Sequence, residues 1–152
     1  MIDDRKKKFI IYSIASSFIV FLFLFAGPPK LLEKTSSPEF CNSCHAMNEM
    51  YESWFSTGLH RSIKCVDCHL PNNNIVNHFI WKGIDGINDV VRFNTGLYKE
   101  PIYAGSHAKK VLKDNCIRCH SHMVSFMETE GRDCWSCHRR VTHRIVDIAV
   151  TK

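Results

Sequence analysis

The sequence predicts a mostly α-helical protein in which one N-terminal apolar helix precedes a small cysteine-rich domain with little strand. Three observations support this prediction. An uncharged run occupies residues 9–26 behind a basic N-terminus. All eight cysteines belong to a single motif, C-x-x-C-H, which occurs four times. Outside the apolar run, no segment sustains the period-two alternation of apolar and polar residues that is typical of a half-buried strand.

The apolar run, "FIIYSIASSFIVFLFLFA", is long enough to cross a membrane. As a helix it extends about 27 Å at ~1.5 Å per residue, close to the roughly 30 Å hydrocarbon core. A cleaved signal peptide is the alternative, but the prolines directly after Ala26-Gly27 make a poor cleavage site. Four basic residues precede the run, Arg5 to Lys8. The positive-inside rule then predicts a cytoplasmic N-terminus at 1–8, a transmembrane anchor helix at 9–26 and a periplasmic domain at 27–152.

The charge distribution argues against a nucleic-acid partner. The formal net charge is +5. From Thr35 onward, however, there are 14 Lys and Arg against 12 Asp and Glu. A nucleic-acid-binding domain would concentrate basic residues in its folded part. We therefore expect no nucleic acid among the partners.

The repeated motif is the attachment signature of haem c. In it, two thiols form thioethers with the haem vinyl groups, and the adjacent histidine is placed to ligate the iron. Zinc ribbons also use C-x-x-C pairs but need no histidine after each one, and a thioredoxin-like site would need a βαβ pattern that is absent. Disulfides would leave the histidines unexplained. The four motifs are Cys41–Cys44–His45, Cys65–Cys68–His69, Cys116–Cys119–His120 and Cys134–Cys137–His138.

Four covalently bound haems leave few residues per cofactor in so short a domain. The first cysteines of successive motifs are 24, 51 and 18 residues apart, so the motifs form two pairs joined by a longer connection. A chain of this size cannot also bury an ordinary side-chain core. We therefore predict a tetrahaem cytochrome c domain whose core is filled by haem, and which unfolds when haem is removed.

Axial ligands for four irons must come from the nine histidines and from methionine. His60 lies five residues before Cys65, and His143 five residues after His138, so both are candidate second ligands. His107 is a weaker candidate, whereas His78 and His122 are more typical of structural or surface groups. Met47 follows His45 by two residues and either ligates the first iron or packs against the porphyrin.

Periodicity predicts an amphipathic helix over 75–93. Val76, Ile80, Ile84, Ile87 and Val91 recur at steps of four and three and line one face. Lys82 and Asp89 are seven residues apart and share another face. Taken alone, these charges favour a surface ion pair such as Lys82 with Asp85. Further helical segments are expected near 46–57, 106–115 and 122–129.

The basic N-terminus, the anchor helix and the four motifs together resemble the NapC/NirT family of membrane-anchored multihaem quinol dehydrogenases. The length and "CNSCHAM" are most similar to its branch of small subunits. This resemblance implies that Met47, rather than His45, ligates the first haem. It further implies His69, His120 and His138 as proximal ligands, His60 and His143 as distal ligands, and a lysine from the catalytic partner on one haem. It also implies that Lys82 and Asp89 form a quinol site.

The function implied by the resemblance is electron transfer out of the bacterial inner membrane. Menaquinol would be the substrate, and a periplasmic pentahaem nitrite reductase the partner, in a hetero-oligomer that converts nitrite to ammonium. A general electron distributor that serves nitrate or other reductases is the alternative. Loss of quinol oxidation on substitution of Lys82 and Asp89 would distinguish a quinol dehydrogenase from a distributor without quinol chemistry. Reductase activity of the chain itself is not expected.

Overall fold

The computed structural model describes residues 4–27, 30–57, 59–100, 102–139, 141 and 143. Regular structure within these ranges is entirely helical, which confirms the predicted mostly-α class. The elements are α1 (Asp4–Ala26), α2 (Leu31–Lys34), α3 (Pro38–Cys41), a 3-10 turn (His45–Met47), α4 (Asn48–Thr57), α5 (Cys65–His69), α6 (Ile75–Thr95), α7 (Ser106–Val124) and α8 (Cys134–Cys137).

Helix α1 contains the whole apolar run and begins within the basic cluster that precedes it. The apolar side chains from Phe9 to Phe23 are exposed around the helix, for example Phe9 at 73% and Ile19 at 65%. The helix predicted over 9–26 is therefore present. Within the described ranges, no helix meets the combined requirements of length and apolarity for crossing a membrane.

Helix α6 matches its predicted extent closely. Asn74 caps its first turn by accepting a hydrogen bond from the backbone N–H of Asn77 at 2.7 Å. Gly96 ends it at φ 67°, a left-handed conformation that favours glycine.

Helix α7 is longer than predicted. It continues through the third motif to Val124, with non-helical backbone angles at His120. The non-helical angles at His120 kink the helix there, and its last turn, which ends at Val124, covers only the first residues of the segment predicted over 122–129.

Side chains alone make a very small core. Among the described residues, only Leu70 and Val111 are buried apolar side chains, at 6% and 5% exposure. The one buried polar residue among them is Asn115, which lies where α7 packs against α5. The packed part of the domain is therefore centred on the second and third motifs.

Candidate functional site

In the second and fourth motifs, a short helix brings the two cysteines to one side. Cys134 and Cys137 begin and end α8, one turn apart, and Cys65 and Cys68 have the same spacing in α5. Cys116 and Cys119 lie inside α7, whereas Cys41 ends α3 and Cys44 precedes the 3-10 turn. All eight cysteines are free thiols, so none is consumed in a disulfide.

The motifs are neighbours in the order in which they occur along the chain. The thiols of Cys41 and Cys65 are hydrogen-bonded to each other, which joins the first motif to the second. Cys68 lies within electrostatic range of Cys119, which joins the second to the third. The arrangement is therefore serial.

The third and fourth motifs are joined as the first two are. Cys116 is hydrogen-bonded to Cys134, and burial together with this neighbour raises the pKa of Cys116 to about 11. The hydrogen bond from Cys65 lowers the pKa of Cys41 to about 7, while that of Cys65 is raised. These pKa shifts describe the thiols before any thioether forms.

Two pairs of imidazole rings face each other at one common separation. The ring centroids of His69 and His143 are 5.9 Å apart, with an interplanar angle of 20°. Those of His60 and His120 are 6.1 Å apart at 82°. Two imidazoles bound on opposite sides of one metal ion at about 2.0 Å have centroids roughly 6 Å apart. Both pairs therefore have the spacing that a haem iron requires of two axial histidines.

Both rings of the His69–His143 pair favour the neutral form. Desolvation, and to a lesser extent the neighbouring His143, lower the pKa of His69 to about 4. Desolvation also lowers the pKa of His143. Neutral imidazole is the form that ligates metal ions.

The first motif is arranged differently from the others. The ring of His45 lies 5.1 Å from that of Phe93 in α6, tilted by 57°. Met47 ends the 3-10 turn, and its backbone N–H donates to the Cys44 carbonyl at 2.9 Å. The assignment of Met47 rather than His45 as iron ligand stays a prediction.

Lys82 and Asp89 both lie close enough to Cys41 to act on its charge, so the structure brings the predicted pair to the first motif. The Lys82 amine donates to the carbonyl of Leu32 at 2.8 Å and to Ser36 Oγ. These contacts bind α6 to α2. The surface ion pair of Lys82 with Asp85 does not form in the described structure.

Burial affects the two groups in opposite directions. Desolvation lowers the pKa of Lys82 and raises the pKa of Asp89, and the nearby charge of Asp85 raises that of Asp89 further. Both shifts favour the uncharged forms. The raised pKa of Asp89 lies closer to neutral pH, which makes its carboxylate a better proton acceptor there.

The three remaining histidines outside the motifs lie elsewhere. His78 Nδ1 is hydrogen-bonded to Asn72 Oδ1 at 3.0 Å. The His107 ring stacks on Trp81 with centroids 3.7 Å apart. His122 lies exposed near the end of α7. In the described part of the chain, none of them faces a motif histidine as His143 faces His69.

The sequence analysis did not identify a polar cluster between the second and third motifs. Asn115 donates to the carbonyls of Cys68 at 2.9 Å and Leu70 at 2.8 Å. Its Oδ1 accepts from Arg118 and from Asn72. In the sequence, the one signal for this cluster is the position of Asn115 directly before Cys116. The carbonyls that Asn115 contacts lie 45 and 47 residues away, so no local pattern predicts these contacts.

A zinc site receives no support from the arrangement of ligands. Within the described ranges, no three His, Cys, Asp or Glu residues are grouped as a metal ion requires. The motif cysteines instead lie in pairs. Two pairs of histidine rings, His69 with His143 and His60 with His120, have centroids 5.9 and 6.1 Å apart.

Comparison with known proteins agrees with this geometry. The model of the NapC/NirT cytochrome c family, N-terminal region, matches residues 3–148. The chain is 32% identical to the cytochrome c-type protein NrfH of Wolinella succinogenes, over 91% of this chain and 89% of that protein. It is 36% identical to the cytochrome c nitrite reductase subunit NrfH of Nitratidesulfovibrio vulgaris, over 74% and 70% of the two chains.

A solved structure is similar over nearly the whole chain. It is the crystal structure of the cytochrome c nitrite reductase NrfHA complex bound to the inhibitor HQNO. The TM-score is 0.69 at 31% identity, covering 88% of this chain and 90% of the other. The similarity therefore extends from sequence motifs to the backbone that carries them.

Proposed function

The chain belongs to the NapC/NirT cytochrome c family, and from this premise we propose that it is the quinol-oxidising electron-transfer subunit of a cytochrome c nitrite reductase. Menaquinol is the electron donor, and a periplasmic pentahaem catalytic subunit is the acceptor. One observation carries the proposal. The four motifs are neighbours in serial order, and Lys82 and Asp89 lie beside the first of them.

The residues present fit four covalently bound haems. The eight motif cysteines would hold the haems as thioethers, and the two imidazole pairs, His69 with His143 and His60 with His120, would ligate two of the irons. Met47 would ligate the first haem. His138 would ligate the fourth, and a lysine of the catalytic subunit would complete it. When bound, haem iron accepts and releases single electrons.

The small side-chain core supports the same reading. Burial of only Leu70 and Val111 among the described apolar side chains leaves little hydrophobic stabilisation for a domain of this size. Porphyrin rings held by the motifs of α5, α7 and α8 would supply the missing apolar surface. The haems would then be structural as well as redox groups.

At the quinol site, the protein binds the donor and removes its protons. Oxidation of a quinol releases two protons with two electrons. Lys82 is positioned to hold a quinol oxygen, and the Asp89 carboxylate to accept a proton, which its raised pKa makes more favourable near neutral pH. The proximity of both groups to Cys41 keeps the path from quinol to the first haem short.

The apolar run supports a position of the site at the inner membrane. Residues 9–26 carry no charge and form a helix, and the apolar side chains from Phe9 to Phe23 are exposed around it. We assign them as the anchor, with residues 1–8 in the cytoplasm and 27–152 in the periplasm, following the basic cluster at Arg5 to Lys8. The reductase subunit then docks from the periplasm and forms a hetero-oligomer with this chain.

The test is nitrite reduction by the complex of this chain with its catalytic subunit in liposomes. With menaquinol as donor, we expect Lys82→Gln and Asp89→Asn to reduce turnover by roughly 10² or more, the contribution typical of a positioned base. HQNO, which the related complex binds, should inhibit the wild type. A reduced dye that donates to the haems directly should drive all variants equally.

Asp85→Asn is the matched control, because it removes a carboxylate from the same helix without removing the proposed base. It should retain most menaquinol-driven turnover. Undiminished quinol oxidation in the Lys82 and Asp89 variants would contradict the proposal and favour an electron distributor without quinol chemistry.

A further inference from the structure

One face of α6 is apolar and uncovered. Within the described part of the chain, its large side chains keep 41–70% of their accessible surface. They are Val76, Phe79, Ile80, Ile84, Ile87 and Val91. At about 100° per residue they occupy one half of the helix circumference, and no charged residue shares that half. A surface of this kind on a folded protein marks an interaction site.

The opposite face of α6 is the one that contacts the rest of the domain. Lys82 is hydrogen-bonded to α2, Trp81 stacks on His107, and His78 is hydrogen-bonded to Asn72. Phe93 lies against His45. Because these residues lie opposite the centre of the apolar face, that face is directed away from the four motifs.

The position of α6 relative to α1 indicates what lies beyond this face. Only residues 27–30 separate α1 from α2, and the two helices pack together. Lys82 then binds α6 to the carbonyl of Leu32 in α2. Helix α6 is therefore joined through α2 to the C-terminal end of α1, where an anchor helix would leave the bilayer.

We propose that α6 lies in the membrane–water interface with its apolar face among the lipid chains and its charged face against the haem domain. A helix with one charge-free apolar half and one polar half is the type that binds in this layer. The inference rests on the proposed membrane anchor and quinol site. It adds that quinol enters laterally, from lipid in contact with the helix that carries Lys82 and Asp89.

The first test labels the native complex in liposomes with a photoreactive carbene reagent dissolved in the lipid, followed by peptide mapping. We expect the label on Ile80, Ile84 and Ile87, and none on Asn88 and Arg92. Protection of the apolar face from the lipid-dissolved reagent would overturn the proposal. It would indicate instead that the reductase subunit or a second copy of this chain covers that face.

The second test compares two single substitutions that add the same charge. Ile87→Asp places it at the centre of the apolar face, and Asn88→Asp places it one residue further on, on the polar side. We expect Ile87→Asp to raise the KM for long-chain menaquinol in liposomes at least fivefold and to leave dye-driven nitrite reduction unchanged. The KM of Asn88→Asp should equal that of the wild type. Equal effects of the two variants, or no effect of either, would count against lipid contact.

The labelling result does not depend on turnover or on a variant that folds. Labelled α6 in a complex that oxidises no quinol would refute the proposed quinol site and leave the interfacial position of α6 intact. Quinol oxidation with an unlabelled α6 would refute the interfacial position alone.

Discussion

At the residue scale, the surroundings of Asp89 raise the pKa of the carboxyl that we propose as the proton acceptor. Desolvation and the Asp85 charge both favour the protonated carboxyl. Below the raised pKa the carboxyl already holds a proton and cannot accept another. Quinol oxidation should therefore increase with pH through an inflection above the ordinary aspartate pKa of about 3.9.

Two variants test that inflection in the pH profile of menaquinol oxidation. Asp85→Asn removes a like charge and should move the inflection to lower pH. Asp89→Asn should abolish it. An inflection that is unchanged in Asp89→Asn would assign the titration to another group.

The histidine pairs lead to a second residue-scale prediction. If His60 is the distal ligand opposite His120, His60→Ala leaves the haem of Cys116 and Cys119 without its sixth ligand. We expect one haem equivalent to change from low to high spin in the electron paramagnetic resonance spectrum. Replacement by Met should instead raise the potential of that haem.

His122→Ala is the control for this experiment, because His122 is exposed and faces no motif histidine in the described structure. Its spectrum should match the wild type. If His122→Ala lost a low-spin signal and His60→Ala kept all of them, His122 rather than His60 would be the distal ligand.

At the element scale, α5 and α7 are held together by Asn115 rather than by an extensive apolar interface. Asn115→Ala removes the amide that donates to the carbonyls of Cys68 and Leu70. The Leu70 carbonyl keeps a second donor, Asn72, so we expect a cost of about 2 kcal/mol, mainly from the Cys68 carbonyl. The midpoint of guanidinium unfolding of the haem-loaded protein should fall accordingly. Asn94→Ala, at an exposed residue whose amide donates within α6, should change stability by about 0.5 kcal/mol or less.

Features that depend on local interactions could be predicted from the sequence, whereas contacts between residues far apart in the chain could not. The extent of α6 could be predicted, because Asn74, the apolar period and Gly96 are local signals. The contacts of Lys82 with Leu32 and Ser36 could not, since they join residues 50 and 46 positions apart. The continuation of α7 through the third motif was missed because a haem-binding turn was not expected to remain helical.

The site itself was predictable to a similar degree. The motif spacing identified all eight cysteines and their histidines, since C-x-x-C-H is a contiguous pattern. The pairing of His60 with His120, and of His69 with His143, is a property of the folded chain. Spacing suggested that His60 and His143 turn toward a neighbouring motif, but not which one.

At the scale of the whole molecule, the serial order of the motifs makes them unequal in structural importance. The second motif contacts the first through Cys65 and the third through Cys68, whereas the fourth contacts only the third in the interactions described here. Replacing Cys65 and Cys68 by serine should therefore prevent accumulation of folded protein. Replacing Cys134 and Cys137 should leave a helical protein with three haems.

Haem-stained gels, intact mass and circular dichroism of the two double variants provide the measurement. The mass of the wild type should exceed that of the polypeptide by four haems. Equal loss of protein in both double variants would contradict the central structural role of the second motif.

The contact between Cys41 and Cys65 bears on whether haem attachment comes before or after folding of the chain. In an oxidising compartment, two neighbouring thiols are prone to cross-link, and Cys41 is the more reactive because its pKa is lowered to about 7. A polypeptide that folded before haem attachment could therefore form a disulfide between Cys41 and Cys65, which would block the first two attachment sites. Attachment of the proposed haems before the chain folds would prevent this crosslink.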